Sequence, residues 1–177
     1  MKLALTIPTY NRANFISDAV VDFLEQSDPL LCEVCVYDGA STDESKAVLA
    51  GIADKYPAFR YQIADVNGGI DRDFVRAIEM TRCDYCWLMS SDDKIDMTHF
   101  GSIFSELGEA EIYLIARTEC DADMNRIRDQ SWLQQNSQST FDFSKNEDRQ
   151  QYFSAATSIG ALFSYAPSVI VKREHFL

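Results

Sequence analysis

The sequence has no G-x-G-x-x-G after its first strand-like run and no G-x-x-x-x-G-K-[ST] anywhere. That sets aside a dinucleotide oxidoreductase and a P-loop nucleotide hydrolase. It has only two histidines, His99 and His175, and neither has a Ser or Cys partner in a recognisable motif, so a hydrolase triad is not supported. No stretch approaches the roughly 18 unbroken apolar residues of a membrane span, and the apolar run in "MKLALTIPTYNR" is too short for a signal peptide. The chain reads as cytoplasmic. Basic residues are scarce: 16 Lys and Arg against 28 Asp and Glu give a formal charge of −12, which argues against a surface built to neutralise nucleic-acid phosphates. A small anionic substrate stays compatible, because a bound divalent cation inverts the local field. The acidic excess otherwise reads as solvated surface.

Cysteine is sparse but suggestively spaced. Five residues include two C-x-x-C pairs, Cys32/Cys35 and Cys83/Cys86. Both fall in strand-like runs, where residues three apart point to opposite faces, so neither pair is expected to share a metal. They read as reduced core residues.

What is present is an alternation of β-rich runs and helical-period segments, the pattern of a parallel sheet with crossover helices. At 177 residues and 46% hydrophobic, the chain suffices for one well-buried core. "KLALTI" (2–7) is apolar throughout, as a strand buried on both faces should be, and Pro8 is expected to end it. A helix follows from Asn14 to the "SDP" break at 27–29, with Phe15, Ala19, Val20, Phe23 and Leu24 inward. "CEVCVY" (32–37), "FRYQIA" (59–64), "DYCWLMS" (84–90) and "EIYLIAR" (111–117) read as strands two to five. The helices between them are "SKAVLAGIADKY" (45–56), capped by Ser41 or Thr42, "IDRDFVRAIEMT" (70–81), with Phe74, Ile78 and Val75 inward, and "MTHFGSIFSEL" (97–107). Residues 118–150 are polar, with isolated aromatics at Trp132, Phe141 and Phe143. A hairpin, an active-site flap, a disordered segment or a partner-docking segment all fit them. "ALFSYAPSVIVKR" (161–173) returns to strand character.

In an open α/β sheet, ligands bind at the carboxyl ends of the strands. The four sets there are "PTYNR", "DGASTD", "DVNGGIDR" and "SSDD", each polar, several with small residues that let backbone approach a ligand closely. Singly, "DGAST" and "NGG" are common turns. Asp92 and Asp93 are harder to reduce to local structure, since their mutual repulsion raises the cost of ionising both unless a cation or a donor-rich ligand lies between them. A helix N-terminus explains Asp96 better than it explains this pair. Mg²⁺ or Mn²⁺ prefers carboxylate oxygen and commonly binds one or two carboxylates together with substrate phosphates, so the pair points to a nucleotide diphosphate.

"LTIPTYNR", "VYDGASTDES", "NGGIDRDFVRAIEMTRCDYCWLMSSDD" and "SVIVKREHF" resemble, in content and order, the family 2 glycosyltransferases of the GT-A fold, mainly over residues 3–110. "GIDRDF" followed by "YCWLMSSDD" is similar to the abequosyltransferase-type branch, which transfers deoxysugars in O-antigen or capsule assembly. The resemblance implies an α/β, Rossmann-like, mostly parallel sheet flanked by helices, with an irregular segment after the fifth strand. Residues 1–117 would form the nucleotide-sugar-binding half and 118–177 part of the acceptor-side half. It implies that Pro8, Thr9 and Tyr10 lie against the nucleotide base, with Arg12 in the same loop. Asp38 would bond a pyrimidine, while Asn67 and Arg72 close over base and phosphate. "SSDD" matches the D-x-D region but departs from it, because Ser90 stands where the first Asp is usual. Metal binding then falls to Asp93 first, with Asp92 toward ribose or metal. The implied reaction is inverting, metal-dependent transfer from a nucleotide diphosphate sugar to a saccharide or lipid-linked acceptor, the latter bringing peripheral association with the inner face of a membrane. The implied catalytic base falls near or after the strand matched by "SVIVKR" (168–173). No residue is assigned to it, and the chain reads as a fragment whose base lies beyond Leu177. A truncated, non-catalytic nucleotide-binding module or an interaction protein is the alternative.

Overall fold

Strand β1 (Leu3–Thr9) is buried at every position. The rest of the computed structural model, which describes residues 1–134, 138–157 and 166–176, is arranged around it. β1 pairs in parallel with β2 (Cys32–Asp38) on one side and β4 (Tyr85–Leu88) on the other. β3 (Phe59–Ile63) adds in parallel to β2 as an edge strand, and its expected alternation is seen: Phe59 is buried while Arg60 and Gln62 are exposed. Beyond β4 lie β8 (Val169–Lys172), antiparallel to both its neighbours, and β5 (Ile112–Leu114), giving the order β3-β2-β1-β4-β8-β5. The sheet is mostly parallel, as the alternation of elements requires.

Pro8 does not end β1, contrary to expectation; pairing continues through Pro8↔Tyr37 to Thr9↔Asp38. The Thr9 carbonyl accepts from the Gly39 amide on the β2 side, so Pro8, one residue back, turns its missing N–H toward β4. The β1–β4 ladder stops at Thr6↔Leu88, and no ladder bond is lost there.

The helices α1 (Ala13–Gln26), α2 (Ser45–Lys55) and α4 (Met97–Glu106) build the main core with one face of the sheet, where Leu3, Leu5, Ile7, Val34 and Val36 meet Ile16, Val20, Phe23 and Leu49. Phe23 also meets Phe100 of α4 edge-on, ring centroids 5.2 Å apart. α3 (Ile70–Glu79) packs on β1 and β2 from the other side. Phe15 is exposed rather than inward. Ile16 takes its place, because 16, 19, 20 and 23 keep the three-and-four spacing of one helix face. In α3 the buried residues are Asp73, Ala77 and Ile78, with Phe74 half-buried and Val75 exposed. Neither Ser41 nor Thr42 caps α2: Asp43 Oδ1 instead accepts from the Ser45 amide, 3.0 Å away, and from the Ser45 hydroxyl. Asp96, as expected, caps α4 by accepting from the Thr98 amide at 3.0 Å.

The expected fifth strand is split. β5 ends at Leu114, where the sheet gives way to a hairpin of β6 (Arg117–Cys120) and β7 (Arg126–Gln130). The hairpin reading of the polar segment therefore holds for its first part. A helix, α5 (Asn146–Ala155), was not expected there; its buried residue is Tyr152, which meets the rings of Phe141 and Phe143. Residues 161–165 of the last expected strand lie outside the described residues, and 166–168 form a 3₁₀ turn before β8. Cys32, Cys35, Cys83 and Cys86 are buried, and loss of solvent pushes their thiols up to about 11, 12, 11 and 12. They pack as neutral apolar groups.

Because β1 is closed on both edges and both faces, Leu5→Ala is expected to cost about 3 kcal/mol in urea unfolding, whereas Leu30→Ala, at an exposed position, should change stability by less than about 0.5 kcal/mol.

Candidate functional site

The parallel register sets Thr9 and Asp38 side by side at the ends of β1 and β2, and the end of β4 delivers Ser90 to Asp93 beside them. The loops after β1 and β2 are bonded to each other. Asn11, at φ 53°, donates its amide to Ser41 Oγ (2.8 Å) and accepts from the Thr42 amide at its Oδ1 (2.8 Å). Asp43 Oδ2 accepts from the Ala13 amide at 3.1 Å, so a carboxylate sits at the N-terminus of α1. This cross-bracing fixes Tyr10 and Arg12, both exposed, between the two strand ends.

Asp38 is 1% exposed. Its Oδ1 accepts from the Ser41 amide at 2.7 Å, while Oδ2 is buried without a partner, as is Thr9 Oγ1. A buried carboxylate oxygen without a donor is costly and signals a missing ligand group or water. Asn67 is exposed and shapes its own turn, its Oδ1 accepting from the Gly69 amide at 2.9 Å. Gly69 has φ 88°, a conformation that favours glycine. Arg72 lies over Gly68, where a Cβ would fall 2.5 Å from its Cδ, and lines a shallow cavity of about 290 Å³ with Tyr37, Gln62, Arg76, Glu79 and Met80.

At the β4 end, the Ser90 hydroxyl donates to Asp92 Oδ1, and Arg12 Nη1 stands 3.9 Å from Asp92 Oδ2. The Ser90 hydroxyl therefore orients the Asp92 carboxylate. Asp93 is half-buried; desolvation and the neighbouring Asp92 push its carboxyl up, and the Arg117 guanidinium opposes them. Among the described residues no cluster of three or more His, Cys, Asp or Glu is placed to hold a metal. Carboxylate oxygens such as those of Asp92 and Asp93 are nevertheless the ligand type that Mg²⁺ or Mn²⁺ prefers.

Two participants were missed by sequence reading. Asp73, 3% exposed, has its Oδ1 buried without a partner, and its carboxyl is pushed up by burial and by Asp38, against Arg72. Reading the sequence placed it in the helix over 70–81 and gave it no role. Arg117 comes from the hairpin, its guanidinium 4.8 Å from the Trp132 ring and 3.3 Å from Glu119, and near enough to bias Asp93. Only the fold brings it there; no local signal marked it.

The open, mostly parallel sheet with its acidic strand end is the GT-A architecture. The described structure is similar to that of TarS 1–349 from S. aureus, with a TM-score of 0.73 at 18% identity over 98% of this chain and 47% of that one. A complex of TarS 1–349 with UDP-GlcNAc gives 0.72, at 19% identity and covering 98% and 46% of the two chains. The mannosyltransferase PcManGT from Pyrobaculum calidifontis, in complex with GDP-Man and Mn²⁺, gives 0.57, at 19% identity over 68% of this chain and 35% of that one. Residues 5–172 match the profile of glycosyl transferase family 2, and the chain belongs to that family. It is 34% identical to abequosyltransferase RfbV of Salmonella typhimurium over 99% of this chain and 54% of that protein. An uncharacterised glycosyltransferase of Mycoplasma genitalium, MG060, is 28% identical over 64% of this chain and 39% of that protein. The chain thus spans about half the length of RfbV and less of MG060.

The raised Asp93 carboxyl carries a signed consequence. A carboxyl whose folded pKa lies above its unfolded value binds more protons when folded, so its burden on stability is absent below the unfolded value, near 3.8, and grows as pH rises through the folded one. In metal-free buffer Asp93→Asn is expected to melt higher than wild type at pH 7.5, and the two curves should converge toward pH 4.

Proposed function

We propose that this chain forms the donor-binding part of an inverting, metal-dependent glycosyltransferase that uses a nucleotide diphosphate sugar and a saccharide or lipid-linked acceptor. The observation that carries the reading is the adjacent Asp92/Asp93 pair at the end of β4, with Arg12 of the β1 loop 3.9 Å from it. The nucleotides named in the neighbouring structures, UDP-GlcNAc and GDP-Man, and the sugar-transfer activity in the name of the 34% identical relative support it.

In this reading the base lies at the ends of β1 and β2, within reach of Thr9, Tyr10 and the unpartnered oxygen of Asp38. Asn67 and Arg72, in the loop and the first turn of α3 that follow β3, would close over base and phosphate, where the exposed guanidinium suits a phosphate oxygen. Asp93 and Asp92 would hold Mg²⁺ or Mn²⁺, whose chemistry is to neutralise charge developing on the leaving diphosphate. The Ser90 hydroxyl orients Asp92 by donating to one of its oxygens, and the Arg12 guanidinium stands 3.9 Å from the other. Partial burial of Asp93 strengthens its interaction with a cation by limiting competing water.

Calorimetric titration of UDP, CDP, GDP and dTDP with and without Mn²⁺ tests this. At least one should bind, Mn²⁺ should tighten it, and Asp93→Ala should weaken the Mn²⁺-supported binding by about tenfold or more, the equivalent of about 1.4 kcal/mol. Binding to none of the four, or binding indifferent to Asp93→Ala, would contradict the reading.

A further inference from the structure

We propose that Asp73 is a specificity-determining residue which, together with Asp38, reads the base of the donor nucleotide and selects one that carries an exocyclic amino group. The inference rests on the nucleotide-binding reading above and adds to it a residue and a preference.

Asp38 ends β2, and Asp73 lies in the first turn of α3, the helix packed on β1 and β2. The two acids are 1% and 3% exposed, and each keeps one buried oxygen without a partner, Oδ2 of Asp38 and Oδ1 of Asp73. Their proximity is set by Gly39. A Cβ at that position would lie 2.4 Å from Asp73 Oδ2, so the carboxyl occupies the space a side chain would need, against the residue that directly follows Asp38. Asp73 is therefore packed at the strand end rather than pointing along the helix surface, and Gly39 is what admits it. The same end carries Thr9 Oγ1, also buried and unpartnered, opposite Asp38 in the β1–β2 register.

Two orphaned carboxyl oxygens ask for two donors. Uracil and thymine present one ring N–H flanked by carbonyl oxygens, so satisfying one carboxylate brings an acceptor toward the other. Cytosine and adenine carry an amino group with two N–H bonds, and guanine sets a ring N–H beside its amino group. Each of these can supply a donor to both acids. A site built around polar partners rejects the analogue that lacks them, because its own buried groups are then left unpaired. Burial and Asp38 push the Asp73 carboxyl up while Arg72 opposes them, in keeping with two acids that share one desolvated place.

The test is a base panel, CDP, GDP, ADP, UDP and dTDP, titrated by calorimetry in Mn²⁺ into the 177-residue chain and into its Asp73→Asn and Asp73→Ser variants. Wild type should bind one amino-bearing nucleotide at least about tenfold tighter than UDP and dTDP. Asp73→Asn, which keeps the shape and turns one acceptor into a donor, should cut that ratio to about threefold or less while UDP affinity is retained or improved; Asp73→Ser should lower it without improving UDP. Which of the three amino-bearing nucleotides leads identifies the base. UDP or dTDP binding as tightly as every amino-bearing nucleotide, or a ratio unchanged in Asp73→Asn, would overturn the proposal while leaving nucleotide binding intact. Absence of binding by every nucleotide to wild type would remove the nucleotide reading itself, and this inference with it. Because the first comparison uses wild type, a variant that fails to fold does not shelter the claim.

Discussion

Strand β1 is bonded along one edge to β2 and along the other to β4, with helices over both faces, and so has no freedom to slide. A one-residue shift in a parallel register would exchange the two faces of the strand, moving Leu3, Leu5 and Ile7 out of the main core and Thr9 into a different neighbourhood. The register Thr9↔Asp38 and the position of Ser90 to Asp93 are consequences of that constraint rather than of any bond at the site. The loops at the strand ends then need only short bonds among themselves, such as Asn11 with Ser41 and Thr42, to hold their shape.

With the scaffold fixed, the site carries what the rest of the protein avoids. Asp38, Asp73 and Asp93 are wholly or partly withdrawn from water at the strand ends, whereas Asp96, Asp121 and Asp142, which cap or shape turns, are held below the usual carboxylate range by local donors. The contrast separates two uses of the same residue. Acids that finish local structure have their donors in the chain; at the strand ends Asp38 has one donor, the Ser41 amide, and keeps its other oxygen buried and unpaired, as Asp73 keeps one of its own.

Much of this was legible in the sequence because the strands are buried on both faces and announce themselves as apolar runs, and because ligand groups in such folds follow strand ends. The order of β1 to β4 with their helices was readable for that reason, as was the pairing of Asp92 with Asp93. What was not readable depended on distance in the chain. Pro8 stays in β1 because the neighbouring ladder stops early, a fact of β4 rather than of β1. Phe15 looked inward by hydrophobicity, but a rotation of about 100°, one residue's step along a helix, gives Ile16 the core and leaves the Phe15 ring under the Arg12 guanidinium, 5.6 Å away. Asp73 was hidden inside an acidic helix start, and Arg117 reaches Asp93 only through the hairpin that replaces the expected end of the fifth strand.

The central claim is that the strand ends of β1, β2 and β4 form one cation-dependent nucleotide site. Paramagnetic broadening of backbone amide signals by substoichiometric Mn²⁺ addresses it directly, because the effect falls steeply with distance from the ion. The account predicts selective loss of the Ser91, Asp92 and Asp93 amides, extending to residues 9–12 when a nucleoside diphosphate is added. Broadening centred instead on the acids of residues 119–129 or 142–148, unchanged by nucleotide, would contradict it.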